Sequence, residues 1–292
     1  MSRPGPVRGE PALPRWIREK KLSLSGLHEM KARMRRGKLS TVCEEARCPN
    51  RTECFERKTA TFLICGDVCT RACGFCHIAS GRPRPLNPEE PRQLVHAARE
   101  MGLSHVVVTS VDRDDLADGG AAHWAAVVRA LKEDEPERTV EVLTPDFGGA
   151  ASSIDLVADA GPDVYNHNVE TVPRLYPTVR PKSVFERSTR LLARVKARHG
   201  GMTTKSGMML GLGENDDEVL EVFRALRGSG VEVVTVGQYL RPSAWNLPVV
   251  EYSTPERFAR LQEAGEKLGF RHVFAGPFVR SSYRAEEFLR SE

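Results

Sequence analysis

The stretch Cys69-Thr-Arg-Ala-Cys73-Gly-Phe75-Cys76 puts three cysteines on one short segment, with three and then two residues between them. A four-iron cluster normally takes four thiolates. A segment that offers only three leaves one iron open to a small molecule, as a catalytic metal site does and a closed structural site does not. The spacing therefore indicates a catalytic iron–sulfur site.

A second cysteine triplet, Cys43, Cys48 and Cys54, precedes this segment with gaps of four and five residues. All 7 cysteines lie between Cys43 and Cys76, and an odd, bunched set is poorly suited to a disulfide framework. Metal ligation in a reducing compartment explains the cysteines better, so we predict two clusters. The remaining cysteine, Cys65, is expected to be a buried free thiol, although it forms another Cys-x3-Cys pair with Cys69.

Composition is that of a globular protein with a sizeable core, since 40% of the 292 residues are hydrophobic and 28% are charged. No apolar run approaches the length of a membrane span, and residues 1–15 lack the apolar core of a secretory signal. Four prolines and an acidic residue also suit a transit helix poorly. We expect a cytoplasmic protein that does not bind a membrane and whose residues 1–15 are disordered.

The net charge of +4 is unevenly distributed, because residues 1–60 carry 15 Lys/Arg against 7 Asp/Glu. The densest basic patch is residues 33–38. A solvated helix end is the common explanation for such a run. A docking surface for an acidic macromolecule is the alternative. The sequence shows no nucleic-acid-binding module, so an acidic protein is at least as good a candidate as RNA, and no nucleic-acid partner is predicted.

From residue 59 onward, short apolar runs alternate with amphipathic stretches, which is typical of parallel βαβ units buried on both faces. The strands predicted from these runs are 61–66, 105–110, 139–144, 164–169, 205–210 and 231–240. The predicted helices are 88–101, 121–133, 152–159, 183–199, 216–228 and 254–268. Six such units with right-handed crossovers predict an α/β fold, a partial (β/α)6 TIM-type barrel. Chemistry in that fold lies at the carboxyl ends of the strands, which is where the Cys69 segment falls.

The predicted organisation has four parts. A disordered N-terminus, 1–15, is followed by a cysteine-bearing N-terminal extension, 16–58. The barrel occupies 59–270, and a short C-terminal extension, 271–292, closes over the upstream cysteines.

Zinc is the alternative metal for these cysteines, because structural zinc sites also use closely spaced thiols as ligands. His77 would then be the fourth ligand beside Cys69, Cys73 and Cys76. The spacing is unusual for a zinc finger, and the segment leads from a barrel strand instead of forming a separate small module. These points favour iron–sulfur.

The Cys-x3-Cys-x-aromatic-Cys segment after a first barrel strand resembles that of the radical S-adenosylmethionine (SAM) enzymes. With the upstream triplet, the chain resembles the lipoyl synthase family. The similarity covers residues 16–286 in the family's order. Its further motifs are Ala60-Thr-Phe62, Val108-Thr-Ser-Val-Asp-Arg-Asp-Asp115, Tyr165-Asn-His-Asn-Val-Glu-Thr171, Lys205-Ser-Gly-Met-Met-Leu-Gly-Leu-Gly-Glu214 and Gly276-Pro-Phe-Val-Arg-Ser-Ser-Tyr283.

The resemblance implies two [4Fe–4S] clusters and SAM as cofactors. Cys69, Cys73 and Cys76 would hold the cluster whose open iron chelates SAM. One electron then releases a 5′-deoxyadenosyl radical, which abstracts hydrogen from carbons 6 and 8 of a protein-bound octanoyl chain. Besides those ligands no catalytic residue is assigned.

The resemblance also implies that an auxiliary cluster on Cys43, Cys48 and Cys54 is consumed as the sulfur source. Its fourth ligand would be Ser282, in preference to Ser281. A hard alkoxide on a soft-ligand cluster should form the weakest bond. An ordinary loop hydroxyl is the alternative interpretation of Ser282.

A glycine-containing stretch at the fifth predicted strand resembles the one that lets the backbone approach the SAM adenine, and polar strand ends would bond its methionine and ribose parts. Helix caps, strand-to-loop turns and surface arginines are the structural alternatives for such residues. The expected SAM contacts are Phe75, Thr109, Asn168, Glu170, Arg180, Gly207, Met209 and Gly211.

The family resemblance implies octanoylated lipoyl-carrier proteins as partners, namely the glycine cleavage H protein and the acyltransferase subunits of 2-oxoacid dehydrogenases. It also implies an electron donor such as ferredoxin or flavodoxin, and iron–sulfur assembly factors. Two alternatives stay open. One is another radical SAM reaction, such as biotin-type sulfur insertion or RNA methylthiolation. The other is a non-catalytic iron–sulfur or zinc module.

Overall fold

The computed structural model describes residues 10–19, the backbone of residues 40–41 and residues 59–282. Its strands, in chain order, are β1 Ser40–Thr41, β2 Thr59–Ile64, β3 Val68–Cys69, β4 Ala79–Ser80, β5 His105–Ser110, β6 Thr139–Leu143, β7 Val164–Asn166, β8 Thr203–Leu210, β9 Val233–Gln238 and β10 His272–Gly276. Its α-helices are α1 Arg15–Arg18, α2 Glu90–Glu100, α3 Ala121–Asp134, α4 Ala151–Ala158, α5 Tyr176–Val179, α6 Phe185–Arg198, α7 Asp216–Gly228 and α8 Pro255–Lys267.

One sheet of eight strands organises the molecule, in the order β1-β2-β5-β6-β7-β8-β9-β10. β1 pairs antiparallel with β2, and the seven strands from β2 to β10 are parallel. No pairing closes the sheet among the described strands. The α/β fold and the partial barrel are therefore confirmed.

The sheet contains one parallel strand more than the six that the sequence predicts. The additional strand, β10, lies within the stretch predicted to be a C-terminal extension. Of its five residues, only Val273 is buried. β10 is therefore less buried than the central strands, such as β5, where five of six residues are buried.

The helices begin and end where local chemistry favours it. α7 starts with a capping box, in which the Asn215 side chain accepts from the Glu218 amide and Glu218 accepts in return. The Thr254 side chain caps α8, which has Pro255 at its first position. Each long helix turns an apolar face onto the sheet, so the core is continuous around residues such as Trp124 and Phe223.

The N-terminal part of the chain is described only in pieces. Residues 1–9, from the segment predicted to be disordered, and most of the predicted extension 16–58 lie outside the described residues, as does the basic patch 33–38. Glu10 pairs with Arg241 at 2.9 Å and accepts from the Val249 amide at 3.1 Å. Across the described ranges, helices are too short or too polar to cross a membrane.

Candidate iron–sulfur and SAM site

The three-cysteine segment forms a loop at the carboxyl end of β2. Its two ends pair with each other, because β3 and β4 form a small parallel ladder and the Gly81 amide donates to the Cys69 carbonyl at 2.9 Å. Within the loop the Cys76 amide donates to the Cys73 carbonyl at 3.1 Å. Cys69, Cys73 and Cys76 are partly buried and are not in disulfides. The structure thus brings these three predicted ligands together.

Neighbouring segments fix the tip of this cysteine loop. The Gly74 amide donates to the Val179 carbonyl, and the Leu247 amide donates to the Gly74 carbonyl, both at 2.9 Å. The Asn246 side chain donates to the Cys76 carbonyl at 2.7 Å. A Cβ at position 74 would lie 2.7 Å from the Leu247 side chain, so glycine permits the close packing. The loop is therefore held in place by segments that follow β7 and β9.

Burial makes the three thiols weak acids in the metal-free protein. It raises the pKa of Cys73 to about 12, although the nearby Arg180 guanidinium acts in the opposite direction. It raises the pKa of Cys76 to about 11 and also raises that of Cys69, which two backbone amides partly offset. Iron binding must therefore displace three protons, and cluster assembly should release acid.

Cys65 stands apart from this loop. It directly follows β2, where its amide donates to Glu90 and its carbonyl accepts from Arg113. The side chain is buried in the main core, and burial raises its thiol pKa. Cys65 is therefore a buried free thiol, as predicted.

The donor set fits a cluster better than a single metal ion. Within residues 10–19 and 59–282, no three His, Cys, Asp or Glu side chains converge closely enough to hold one ion. A four-iron cluster binds each thiolate at a different corner, so it needs three sulfurs on one loop but not at one point. Mononuclear zinc ligation by the three loop cysteines, with or without His77, is disfavoured.

Two buried polar side chains after β7 face each other near the cysteine loop. Arg180 donates to the Asn168 carbonyl at 2.7 Å, and the Asn168 amide donates to Glu170 at 3.0 Å. The Asn168 Oδ1 and Arg180 Nε atoms are buried without a hydrogen-bond partner among the described residues. Such atoms are costly unless a ligand satisfies them. A ligand with amino and carboxylate groups, such as SAM, supplies the complementary donor and acceptor.

The backbone at Glu170 is strained in a way that serves this site. Glu170 has a φ of +65°, which is unusual for a residue other than glycine. Its amide donates to the Gly207 carbonyl, and its carbonyl accepts from the Met209 amide, which fastens it to β8. Burial raises the pKa of the Glu170 carboxyl, and the Arg180 charge opposes this shift.

Glycines in β8 and directly after it leave room for neighbouring groups. At Gly207 a Cβ would lie 2.8 Å from Asn168 Oδ1 and 2.6 Å from Thr235 Oγ1. At Gly211, φ is +104°, and the amides of Gly211 and Leu212 donate to the Glu214 carboxylate. Both glycines therefore have a structural requirement, which is compatible with the predicted approach of a ligand to this strand.

The two remaining residues predicted to bind SAM, Thr109 and Phe75, also make contacts within the protein. The Thr109 hydroxyl donates to the Leu143 carbonyl at 2.9 Å and so joins β5 to β6. Phe75 packs against a small apolar cluster with Tyr239 and Val249. Contacts of all eight predicted residues with SAM stay predictions.

The predicted auxiliary site is only partly described. Cys43, Cys48 and Cys54 lie outside the described residues, whereas Ser281 and Ser282 are half-buried just after β10. Their ligation stays a prediction.

The sequence pattern missed a charged residue within the cysteine loop itself. Arg71 is 4% exposed and pairs with Asp114 and Asp146, each at 2.7 Å, and with Asp112 at 3.3 Å. Burial opposes ionisation of Asp146, yet its hydrogen bond with Arg71 keeps its pKa well below the usual range. Burial raises the pKa of Asp112 to about 6 despite the Arg71 charge. The sequence signal for a buried cation at this site is the aspartate-rich run 112–115, which supplies two of its three partners.

Comparison with known proteins agrees with this geometry. The radical SAM superfamily model matches residues 63–226. Methylornithine synthase (PylB) superposes with a TM-score of 0.52 at 13% identity, over 87% of this chain and 79% of that chain. SuiB of Streptococcus suis, bound to its precursor peptide SuiA, gives a TM-score of 0.57 at 13% identity, over 87% of this chain and 55% of that chain. These structures share the fold. The chain belongs to the radical SAM superfamily.

Sequence relatives narrow this class. Lipoyl synthase of Rubrobacter xylanophilus is 51% identical over 280 residues, which cover 96% of this chain and 87% of that protein. Lipoyl synthase of Caldanaerobacter subterraneus subsp. tengcongensis is 54% identical over 273 residues, or 94% and 95% of the two chains. Within the superfamily, the chain therefore belongs to the lipoyl synthase family. It is a radical SAM sulfur-inserting enzyme with SAM and [4Fe–4S] clusters as cofactors.

Proposed function

We propose that this enzyme inserts two sulfur atoms at carbons 6 and 8 of a protein-bound octanoyl-lysine. Cys69, Cys73 and Cys76 ligate the cluster that binds SAM. The observation that carries the proposal is the anchored loop, which offers three thiols and no fourth at the carboxyl edge of a parallel sheet. A cluster held there leaves one iron for SAM and supplies the electron that cleaves it.

The chain's own residues bind and orient SAM in this proposal. Asn168 Oδ1 accepts from the amino group, and the Arg180 Nε–H donates to the carboxylate, which satisfies two otherwise unpaired buried atoms. Glu170 holds the Asn168 amide in that orientation. Thr109 lies near the carboxyl end of β5, and the Gly207–Gly211 stretch covers the last part of β8 and the residue after it. In this proposal Thr109, Met209 and the two glycines line the remaining parts of SAM, with Phe75 on the loop.

We further propose that Cys43, Cys48, Cys54 and Ser282 hold an auxiliary cluster that is the sulfur donor. Family membership implies that the substrate is a lipoyl-carrier protein. Candidate carriers are the glycine cleavage H protein and the acyltransferase subunits of 2-oxoacid dehydrogenases. We propose ferredoxin or flavodoxin as electron donor, iron–sulfur assembly factors for cluster repair, and the cytoplasm as the location.

The direct test is mass spectrometry of an octanoyl-lysyl peptide after anaerobic incubation with reconstituted enzyme, SAM and a strong reductant. We expect a gain of two sulfur atoms, with loss of two hydrogens once the dithiol is oxidised, and formation of 5′-deoxyadenosine. Deoxyadenosine without sulfur on the peptide would refute the substrate or the sulfur donor. Absence of both products, from protein shown to carry intact clusters, would refute the proposed function as a whole.

A glycine in β9 offers a test of the C-terminal segment. A Cβ at Gly237 would collide with the Val279 carbonyl and lie 3.1 Å from Arg280 Nη1. We therefore expect Gly237→Ala to push residues 277–282 outward and move Ser282 from the auxiliary cluster. Overpacking of this kind costs about 1–3 kcal/mol, so the measured result should be retained deoxyadenosine formation and lipoyl product reduced about tenfold.

The matched control is Gly276→Ala, because Gly276 is the register partner of Gly237 on β10. Among the residues that the structure describes, a Cβ there meets only the Val279 side chain, at an ordinary 3.4 Å. This variant should keep both clusters and both activities. Two intact clusters and full sulfur insertion in Gly237→Ala would contradict the proposed role of this segment.

A further inference from the structure

Arg71 is a buried cation at the centre of the cysteine loop, and it connects three different segments. Its guanidinium donates to Asp114 after β5, to Asp146 after β6 and, at 3.4 Å, to the Ser183 hydroxyl before α6. Its carbonyl accepts from Ser80 on β4 at 2.8 Å. Charge-assisted bonds of this kind are strong when they are buried. One side chain thus holds the cysteine loop against the carboxyl ends of two barrel strands.

The same contacts reach the Cys69 sulfur. The Arg71 amide donates to Cys69 Sγ at 3.4 Å, and the Asp112 amide donates to it at 3.3 Å. The Asp112 carboxylate lies 3.9 Å from this sulfur and 3.3 Å from the Arg71 guanidinium. Cys69 therefore lies beside a carboxylate whose charge Arg71 balances.

Such a pair acts on any cluster that Cys69 ligates. Hydrogen bonds to cluster sulfurs and nearby charges set its reduction potential. Adding an electron makes a cluster more negative, so an unbalanced carboxylate beside it disfavours reduction and a nearby cation favours it. Radical SAM chemistry starts with that reduction, and the balance at Cys69 bears directly on it.

We propose that Arg71 is a positioning residue for the SAM-binding cluster, which fixes the cysteine loop through Asp112, Asp114 and Asp146 and tunes cluster reduction by balancing Asp112 at Cys69. The inference rests on the proposed ligation by Cys69, Cys73 and Cys76. Arg71 itself touches neither SAM nor the substrate in this role.

The test is a redox titration monitored by electron paramagnetic resonance. The background is the full chain with Cys43, Cys48 and Cys54 changed to alanine, so that a single cluster is observed. We expect Arg71→Met to shift the midpoint potential to a more negative value and to speed cluster loss to a chelator. We expect Asp112→Asn, a nearly isosteric change that removes the opposite charge, to shift the potential to a more positive value.

Arg138→Met is the matched control. Arg138 is also 4% exposed and pairs with a buried aspartate, Asp134, at 2.8 Å, but it lies at the start of β6, away from the cysteine loop. This variant should lose stability without moving the potential. A readout of potential therefore separates the proposed role from a general loss of buried ion pairs.

The outcomes distinguish a failure of the proposed role of Arg71 from a failure of the proposed cluster ligands. Unchanged potentials in both Arg71→Met and Asp112→Asn, or shifts of the same sign, would overturn the inference while leaving the ligand assignment intact. If Arg71→Met does not fold, the sign of the Asp112→Asn shift decides the result alone. Failure of the background protein to hold a cluster that binds SAM would overturn the ligand assignment, and the inference with it.

Discussion

Cys73→Ala will reduce SAM cleavage to background, with no 5′-deoxyadenosine formed under a strong reductant. Cys73 is the middle thiol of the loop, and the loop holds no cysteine besides the three proposed ligands that could replace it. Two thiolates would not hold a four-iron cluster stably, so the open iron that would chelate SAM would be lost with the cluster. Deoxyadenosine is measured by chromatography. Iron content and the electron paramagnetic resonance signal of the reduced cluster are measured on the same protein.

Cys65→Ala is the matched control for this experiment. Cys65 is a buried thiol four residues before Cys69, and it forms the alternative Cys-x3-Cys pair in the sequence. Because it packs in the core behind the loop, its replacement should leave SAM cleavage unchanged. Residual cleavage in Cys73→Ala, or loss of cleavage in Cys65→Ala, would show that the ligand assignment is wrong.

The main features of the fold could be predicted because they depend on local pattern. Apolar runs such as that of β5 and amphipathic stretches such as that of α7 report burial directly along the chain. β10 was missed, although its apolar run, residues 273–275, is as long as the run 106–108 of β5; four of its five residues are incompletely buried. Its place is set by pairing with β9, which is a contact between distant segments.

The cysteine loop shows the same division within the site. The spacing of Cys69, Cys73 and Cys76 is visible in the sequence and predicts their joint role. The groups that hold the loop are not visible there. Arg71 bonds to Asp146 across 75 positions, and Asn246 bonds to the Cys76 carbonyl across 170. Such pairings follow from the order of strands in the sheet, which a single sequence does not reveal.

The predicted SAM contacts show how one residue type serves two purposes. Glycine at 207 was expected to admit a ligand, and the structure adds a packing reason, because Asn168 and Thr235 occupy the space of a Cβ. Thr109 was expected to bond SAM, and its hydroxyl proton is already donated to Leu143. The unpaired atoms of Asn168 and Arg180 are the sharper signal, and only coordinates reveal that they are buried.

Cys43→Ala should separate the two halves of the reaction. We expect it to keep reductive SAM cleavage and to abolish sulfur insertion into the octanoyl-lysyl peptide. The SAM-binding ligands lie on a loop whose anchors among the described residues are in residues 70–247, so we expect that cluster to assemble without Cys43. The auxiliary cluster, in contrast, would lose one of its three proposed thiolates. Without a stable auxiliary cluster, the proposed source of the inserted sulfur is gone.

The measurement pairs the two readouts in one reaction, with deoxyadenosine by chromatography and peptide mass by spectrometry. Iron content should fall by about half, from two [4Fe–4S] clusters to one. Cys73→Ala is the complementary control, because it should lose both products. If Cys43→Ala still yields peptide with two added sulfurs, the sulfur-donor role fails. If it forms neither deoxyadenosine nor sulfur-containing peptide while holding one intact cluster, SAM cleavage depends on Cys43, and the predicted separation of the two sites is wrong.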